Sequence, residues 1–287
     1  MSGIGCSSKT PSYFLNKSHG FNSVHGRMPS VATGANLANR DLYTIGVSGD
    51  GDSASIGLGQ FAHIVRRKIN MLYIVDNNGT YGLTKGQFSA TNDVGSTSKK
   101  GVPNLYEPID LASMALQLGA SFVARSFSGD KQQLVPLIKA ALQHKGMAFI
   151  DVVSPIVAFN NHNGSTKSYE FVREHSRNVV NAEVILEHAE ITAEYAEGTR
   201  QDVAMPDGSK LRLYKLDADY DPHDRVGAMR YVQRRQEAGE VVTGLLYVDS
   251  EGTDCHTIMQ TTDRPLNELS EAELCPGSAA LEDINQS

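Results

Sequence analysis

Two carboxylates, Asp50 and Asp52, stand among glycines in the stretch GDGD (Gly49–Asp52), one residue after the apolar run DLYTIGV (Asp41–Val47). Like charges that close repel unless a cation lies nearby, so the turn is a candidate cation site. Gly51 and Asn77 bracket 25 residues, and Asn77-Asn78 close a second apolar run, MLYIV (Met71–Val75) and Asp76. A hard cation such as Mg²⁺ takes octahedral oxygen ligands and is commonly held by one or two side-chain oxygens plus phosphates of a bound ligand. Asp50 would supply the charge, Asn78 a neutral amide oxygen and the backbone just beyond it a carbonyl, leaving positions for a diphosphate. Gly49 and Gly51 let the backbone approach that diphosphate, and a helix expected to open near Ser53 offers free N–H groups and a favourable dipole. Asp52, at the start of that helix, is expected to cap it or to orient the ligand side of the turn.

Each motif alone has a plainer reading, GDG as a strand-to-helix turn and DNNG as a type I′ turn. An EF-hand reading of DNNGTYGLTKGQ fails, because Tyr81 stands at the glycine position and Gln87 at that of the bidentate glutamate. The pair is informative only if the two turns emerge together, and the surrounding pattern predicts that they do. LYTIGV reads as a buried strand, Ile56, Leu58, Phe61, Ile64 and Val65 recur at helical spacing, and MLYIV reads as the next strand. Helical segments at Ile109–Leu118 and about Gln132–Gln143 lead into the strands SFVARSF and MAFIDVV, with Pro136 leaving the start of the second helix open. The expected fold is α/β, a doubly wound, mostly parallel sheet with helices on both faces, whose ligands bind beyond the carboxyl ends of the strands.

Two polar segments, Phe88–Tyr106 and Ser154–Ser176, read as long loops, which in compact domains are often functional. His162 and Lys167 in the second are candidate lid residues. From about Asn178 the pattern predicts a helix-like stretch, a hairpin around MPDGSK (205–210), a final strand in EVVTGLLYVD and a frayed acidic end, EDINQS. Residues 1–180 are therefore expected to form the ligand-binding domain and 181–287 a C-terminal extension packed on it.

Composition narrows the function classes. The net charge of −7 argues against a nucleic-acid binder, which needs a basic face. No apolar run approaches the roughly 20 residues that cross a bilayer, and MSGIGCSSKT has neither a basic nor an apolar leader segment, so the expected location is the cytoplasm, with no membrane partner. The 3 cysteines, Cys6, Cys255 and Cys275, are widely spaced and support neither a disulfide framework nor a self-contained zinc site. Sequons at Asn16, Asn78 and Asn163 are chance matches without a secretory route.

GDG, 25 residues and NN resembles the thiamine diphosphate motif. GIGCSS (Gly3–Ser8), HGR (His25–Arg27), ATGANLAN (Ala32–Asn39), NNGTYGLTKGQ (Asn77–Gln87) and GSTKSY (Gly164–Tyr169) occur in the same order as in the β subunit of 2-oxoacid:ferredoxin oxidoreductases. YGLTKGQ and NHNGSTKSY look most like the 2-oxoglutarate type. The resemblance is strong over residues 3 to about 180 and looser through LDADYDPHDR (Leu216–Arg225). It implies Mg²⁺ ligands at Asp50, Asn78 and the Thr80 carbonyl, and diphosphate-side contacts at Gly51, Asp52, Gly82 and Leu83. It also implies cofactor-lining positions at Ile4, Gly5, Cys6, Ser7 and His25. Family members decarboxylate a 2-oxoacid on thiamine diphosphate, pass electrons through a [4Fe–4S] cluster to ferredoxin and transfer the acyl group to coenzyme A, so the cofactor carries the hard chemistry. Lys85 would meet an anion of substrate or coenzyme A at the mouth of the site, and its presence leans toward a dicarboxylate such as 2-oxoglutarate. His25 and Lys85 are the candidate catalytic residues, each with a bland alternative as a core histidine or a solvated lysine.

Two departures from the family pattern matter. Its cluster takes four cysteines: a CxxC, the cysteine of GIGCSS and one in SPC. Only Cys6 is present, with Ile156 in place of the last. The glutamate that activates the cofactor comes from the α subunit in this family, so the chain is expected to need that partner. The leading expectation is the β subunit of a 2-oxoglutarate:ferredoxin oxidoreductase. The alternatives are a cluster-less subunit that binds thiamine diphosphate or its partner without electron transfer, and a non-redox thiamine diphosphate decarboxylase or synthase.

Overall fold

A computed structural model describes residues 1–14, 17–97, 101–185, 199–204, 210–215, 217, 219–275 and 277–286. A 3-10 turn at Cys6–Lys9 and helix α1 (Thr10–Phe14) precede α2 (Met28–Ala38) and strand β1 (Ile45–Gly49). After β1 the chain makes a wide π-helical turn, Gly51–Ile56, in which the Gly57 N–H bonds the Asp52 carbonyl at 2.9 Å, and then enters α3 (Leu58–Arg66). Next come β2 (Met71–Asn77) and a small hairpin of β3 (Thr80–Tyr81) and β4 (Gln87–Phe88). They are followed by α4 (Leu111–Leu118), β5 (Phe122–Phe127), α5 (Lys131–Gln143) and β6 (Met147–Val153). The remainder comprises α6 (Tyr169–His175), β7 (Ser176–Asn178), β8 (Val180–Ile185), β9 (Thr199–Ala204), β10 (Lys210–Lys215), α7 (Arg225–Glu237), β11 (Val241–Val248), α8 (Cys255–Met259), α9 (Glu271–Leu274) and α10 (Ser278–Gln286).

The main sheet runs β1-β2-β6-β5-β11-β7. The first four strands are mutually parallel, β11 is antiparallel to β5, and β7 is parallel to β11. Every residue of β5 and β6 is buried, as expected for strands covered on both faces. Helices α3, α4 and α7 pack together, while α5 packs against β8, so the helices lie on both sides and the fold is the expected α/β. Phe61 of α3, Tyr73 of β2 and Phe149 of β6 form an aromatic cluster with centroids 5.1–5.9 Å apart. The free edge of β1 is closed by the chain's own start: the Val47 N–H bonds the Met1 carbonyl at 3.0 Å and the Gly3 N–H the Val47 carbonyl at 2.9 Å. This covers an edge that would otherwise present unpaired backbone groups.

Local chemistry explains the helix boundaries. The Asp110 carboxylate accepts from the Ser113 N–H at 2.9 Å and Asp130 from the Gln133 N–H at 3.0 Å, each capping its helix. Pro136 lies inside α5. In the segment read as a loop over 154–176, α6 forms behind a Ser168 cap. The first residues of the stretch expected to be helix-like after Asn178 form β8, consistent with the β-branched run Val179-Val180 and the Val184-Ile185 pair that follows it, and the rest of that stretch, 186–198, lies outside the described residues. Strands β9 and β10 pair antiparallel as a hairpin requires, although the turn residues 205–209 lie outside the described residues. The C-terminal EDINQ is helical in α10 rather than frayed. Among the described residues no helix is long and apolar enough to cross a membrane.

Strand β11 lies within the main sheet between β5 and β7, and its Gly244 packs closely against Val180. With φ of +104°, a Cβ there would lie 2.3 Å from the Val180 carbonyl oxygen. Gly244→Ala is expected to destabilise the fold by about 2–4 kcal/mol, measured as a lowered urea midpoint. An unchanged midpoint would contradict this account of Gly244.

Candidate active site

The turn after β1 and the turn after β2 meet because their strands are adjacent, in register (Gly49 opposite Asp76) and parallel. Asp50 is 1% exposed. Its carboxylate accepts from the backbone N–H of Asn78 at 3.3 Å and of Gly79 at 3.1 Å, from Thr91 Oγ1 at 2.7 Å and from Ser89 Oγ. Burial pushes its pKa up, while Ser89, Thr91, the Asn78 N–H and the charge of Lys167 oppose the shift. Asn78 turns its Oδ1 toward the Thr80 N–H and Oγ1, at 3.0 and 3.3 Å. The predicted trio of Asp50, Asn78 and Thr80 is thus assembled within one buried patch.

Asp52 has a different environment. Its Oδ1 accepts from the Gly26 N–H at 2.8 Å and lies 2.9 Å from His25 Nδ1, and its Oδ2 accepts from Ser48 Oγ at 3.0 Å. It therefore ties the HGR segment to the turn, and the capping expectation for Asp52 is not met, since no side chain caps that turn. From Ser48 a chain of hydroxyls continues through Ser53 (2.9 Å) to Tyr73 (2.8 Å), linking the turn to the aromatic core. Burial pushes the Tyr73 phenol up to about 12, so that chain stays neutral. Gly3 is packed against Asp52, where a Cβ would lie 2.1 Å from Oδ2, which explains a glycine in GIGCSS.

Between the two turns lies a cleft of about 230 Å³, lined by Ile4, Gly5, Ser7, His25, Asp50, Gly51, Asp52, Asn78, Thr80, Gly82 and Leu83 among the predicted positions. Ser7 Oγ is buried there without a hydrogen-bond partner among the described residues. Cys6 begins the 3-10 turn beside it. Lys85 does not line the cleft. It stands exposed at the tip of the β3–β4 hairpin, in a left-handed conformation with φ of 77°. His162 is exposed, whereas Lys167 is buried with its Nζ 3.4 Å from Asp93 Oδ1, so these two do not form a matched pair of lid residues.

The sequence reading missed several wall residues. Ile56, expected in the helix core, is 54% exposed and lines the cleft, because the π-helical turn rotates it away from the α3 stripe. Tyr81 also lines it, and its hydroxyl donates to the Gly51 carbonyl at 3.0 Å. Asp76 completes the wall, and burial pushes its carboxyl up to about 6. The hydroxyls of Ser89 and Thr91 come from the polar segment flagged only as a functional loop.

The family comparisons agree with this geometry. Residues 3–152 match the family model for the thiamine pyrophosphate enzyme C-terminal TPP-binding domain, and residues 209–263 match that for the C-terminal region of the pyruvate ferredoxin oxidoreductase β subunit. The chain is similar to the 2-oxoglutarate synthase subunit KorB of Methanocaldococcus jannaschii, 36% identical over 223 residues that cover 75% of this chain and 80% of that protein. The chain belongs to the 2-oxoacid:ferredoxin oxidoreductase β-subunit family. It is also similar to the 2-oxoglutarate oxidoreductase subunit KorB of Mycobacterium tuberculosis, 44% identical over 161 residues covering 56% of this chain and 43% of that one. Against the first curated relatives it spans about half their length, 43–55%. Among solved structures it resembles a 2-oxoglutarate:ferredoxin oxidoreductase from Magnetococcus marinus with 2-oxoglutarate, coenzyme A and succinyl-CoA bound. There the TM-score is 0.72 and the identity 29%, over 100% of this chain and 81% of that one.

As in a thiamine diphosphate site, the donor set of this family member suits Mg²⁺. Among the described residues no three His, Cys, Asp or Glu side chains converge on a metal position, so a cation would rely on Asp50, neutral oxygens and ligand phosphates. The unpartnered Ser7 hydroxyl and the glycine-lined walls fit a polar ligand. A [4Fe–4S] cluster does not fit the cysteines present, since it takes four thiolates. Cys255 is buried at the start of α8 with its N–H on the Lys68 carbonyl, at the end of the sheet opposite the cleft, and Cys275 is exposed after α9. Neither joins Cys6.

Gly51 is the closest approach of the hairpin to the turn, for a Cβ there would lie 2.5 Å from the Tyr81 ring. Gly51→Ala is expected to weaken thiamine diphosphate binding about tenfold or more by calorimetry, and the added Tyr81→Ala change to restore part of the loss. Normal binding by Gly51→Ala alone would show that this contact does not shape the cleft.

Proposed function

We propose that this chain is the β subunit of a 2-oxoglutarate:ferredoxin oxidoreductase that works in the cytoplasm with an α subunit, oxidatively decarboxylating a 2-oxoacid to its acyl-coenzyme A and delivering electrons to ferredoxin. The observation that carries the reading is the meeting of Asp50 and Asn78 at the carboxyl ends of adjacent parallel strands, across one cleft. In it, Asp50, Asn78 and the Thr80 carbonyl hold Mg²⁺. Gly51, Asp52, Gly82 and Leu83 border the diphosphate, and Ile4, Gly5, Cys6, Ser7 and His25 line the rest of the cofactor. Thiamine diphosphate, when bound, supplies the carbanion chemistry that cleaves the carboxylate from a 2-oxoacid.

The chain's own residues bind and orient. The buried carboxylate of Asp50 attracts the cation more strongly for having little water to compete. Asp52 fixes the His25 ring at the cleft wall through the 2.9 Å contact at Nδ1, and Nε2, without a partner among the described residues, would serve cofactor or substrate. Lys85, exposed on the hairpin tip outside the cleft, would meet a substrate carboxylate arriving from a partner surface, which suits a dicarboxylate. Residues 1–180 hold the cofactor and 181–287 form the extension packed on them through β11.

One position favours a second reading, a thiamine diphosphate decarboxylase or synthase without electron transfer: Ile156 stands where the family has its last cluster cysteine. Co-expression with the gene product encoded beside it, followed by assay, separates the two. The leading reading expects 2-oxoglutarate-dependent viologen or ferredoxin reduction that requires coenzyme A and accompanies bound iron elsewhere in the assembly. Carbon dioxide release without reduction would favour the second. Asp50→Ala is expected to abolish Mg²⁺-dependent thiamine diphosphate binding in either case.

A further inference from the structure

The Asp50 carboxylate is connected to charges well away from the cleft. Thr91 Oγ1 lies 2.7 Å from Asp50 Oδ2 and 3.0 Å from Asn77 Oδ1. Asn77 Nδ2 donates to Asp151 Oδ1 at 3.0 Å, and Asp151 Oδ2 accepts from Arg125 Nε at 2.8 Å. Arg125 continues to Asp110 Oδ1 at 2.5 Å, and the other Asp110 oxygen accepts from Gln236 Nε2 of α7. Asp50, Asn77, Thr91, Arg125 and Asp151 are all buried. Burial opposes the charge on Arg125, but Asp110 and Asp151 outweigh it and raise its pKa, so the guanidinium stays charged.

The order of donors and acceptors along this chain has a direction. Asp151, as a carboxylate, only accepts, so it dictates that the Asn77 amide turns its Nδ2 toward β6 and its Oδ1 toward Thr91. Thr91 then has one proton and three neighbours able to accept it, the Asp50 carboxylate, the Asn77 carbonyl and Ser89 Oγ at 3.0 Å. With the Asn77 amide reversed, Thr91 would face the amide Nδ2, a donor, and would lose the Asn77 acceptor. We propose that Asp151 and Arg125 are positioning residues for the cation site: through Asn77 they orient the Thr91 hydroxyl, and Thr91 sets the Asp50 carboxylate. When a cation draws on Asp50, the Thr91 proton has an alternative acceptor already in place. Outer hydrogen-bond partners of this kind typically alter metal affinity by about 10–100-fold when removed.

The proposal rests on reading Asp50 as the Mg²⁺ carboxylate, and the test separates the two. Thiamine diphosphate binding to the purified assembly is titrated against Mg²⁺ by calorimetry, with urea unfolding measured in parallel. Asp151→Asn and Thr91→Val are each expected to raise the half-saturating Mg²⁺ concentration about tenfold, with the double variant no worse than either alone. Asp110→Asn removes the other partner of the same guanidinium on the side away from Asn77, and is expected to shift the Mg²⁺ requirement by less than twofold while lowering the urea midpoint. Equal Mg²⁺ shifts in Asp151→Asn and Asp110→Asn, or wild-type Mg²⁺ dependence in Asp151→Asn or Thr91→Val while Asp50→Ala binds nothing, would overturn the positioning role. Wild-type binding by Asp50→Ala would overturn the site reading and this inference together. If Asp151→Asn does not fold, Thr91→Val against Thr91→Ser decides, with Ser expected to retain wild-type Mg²⁺ dependence.

Discussion

A carboxylate without solvent, Asp50, is the constraint around which the cleft is organised. Burying such a charge is costly unless hydrogen bonds or a cation compensate it. Two backbone N–H groups from the next strand's turn and two hydroxyls from the following loop converge on it. The two sets of donors arrive on different segments, so the carboxylate draws the turn after β1, the turn after β2 and the 89–92 loop to one point. Neutral donors soften the cost of burial without cancelling the charge, and the pKa stays raised. The place is therefore structured and still electrostatically receptive to a cation.

The rest of the fold makes that convergence possible. Parallel pairing of β1 with β2, and of β2 with β6, brings Gly49, Asn77 and Val153 to the same end of the sheet. The hydroxyl chain from Asp52 to Tyr73 anchors the turn in the aromatic core, and the Arg125–Asp151 pair braces it from the neighbouring strands. Those ionic contacts lie inside a sheet whose strands are covered on both faces, where the low dielectric strengthens each hydrogen bond. The C-terminal part is no bystander, since β11 pairs with β5 beside Arg125 and α7 reaches Asp110.

Much of this was legible in the sequence for local reasons. Strands and helices along 45–153 follow apolar periodicity, and the glycine–aspartate and double-asparagine turns carry chemistry that few other functions need. The errors have identifiable causes. Ile56 fits a helical stripe, but the π-helical turn adds a residue and rotates it into the cleft. Val180–Ile185, at the head of the stretch read as helix-like, has too few cues in its own composition to separate helix from β8, whose place is set by packing on α5 and on β11. Lys167 looks like any loop lysine until Asp93, 74 residues earlier in the chain, is brought against it.

By itself the sequence determined the family, the thiamine diphosphate-binding domain and the two turns that form the candidate cation site, because these depend on residue type and short spacing. Only the tertiary structure decided that Asp52 faces Gly26 and His25 rather than capping a helix, that Tyr81 closes on Gly51, and that Ser89 and Thr91 serve Asp50. It also decided that Cys255 and Cys275 stand away from the cleft. Those relations join positions tens to hundreds of residues apart, and no local propensity encodes them. They follow from strand order, register and the need of each buried polar group for a partner.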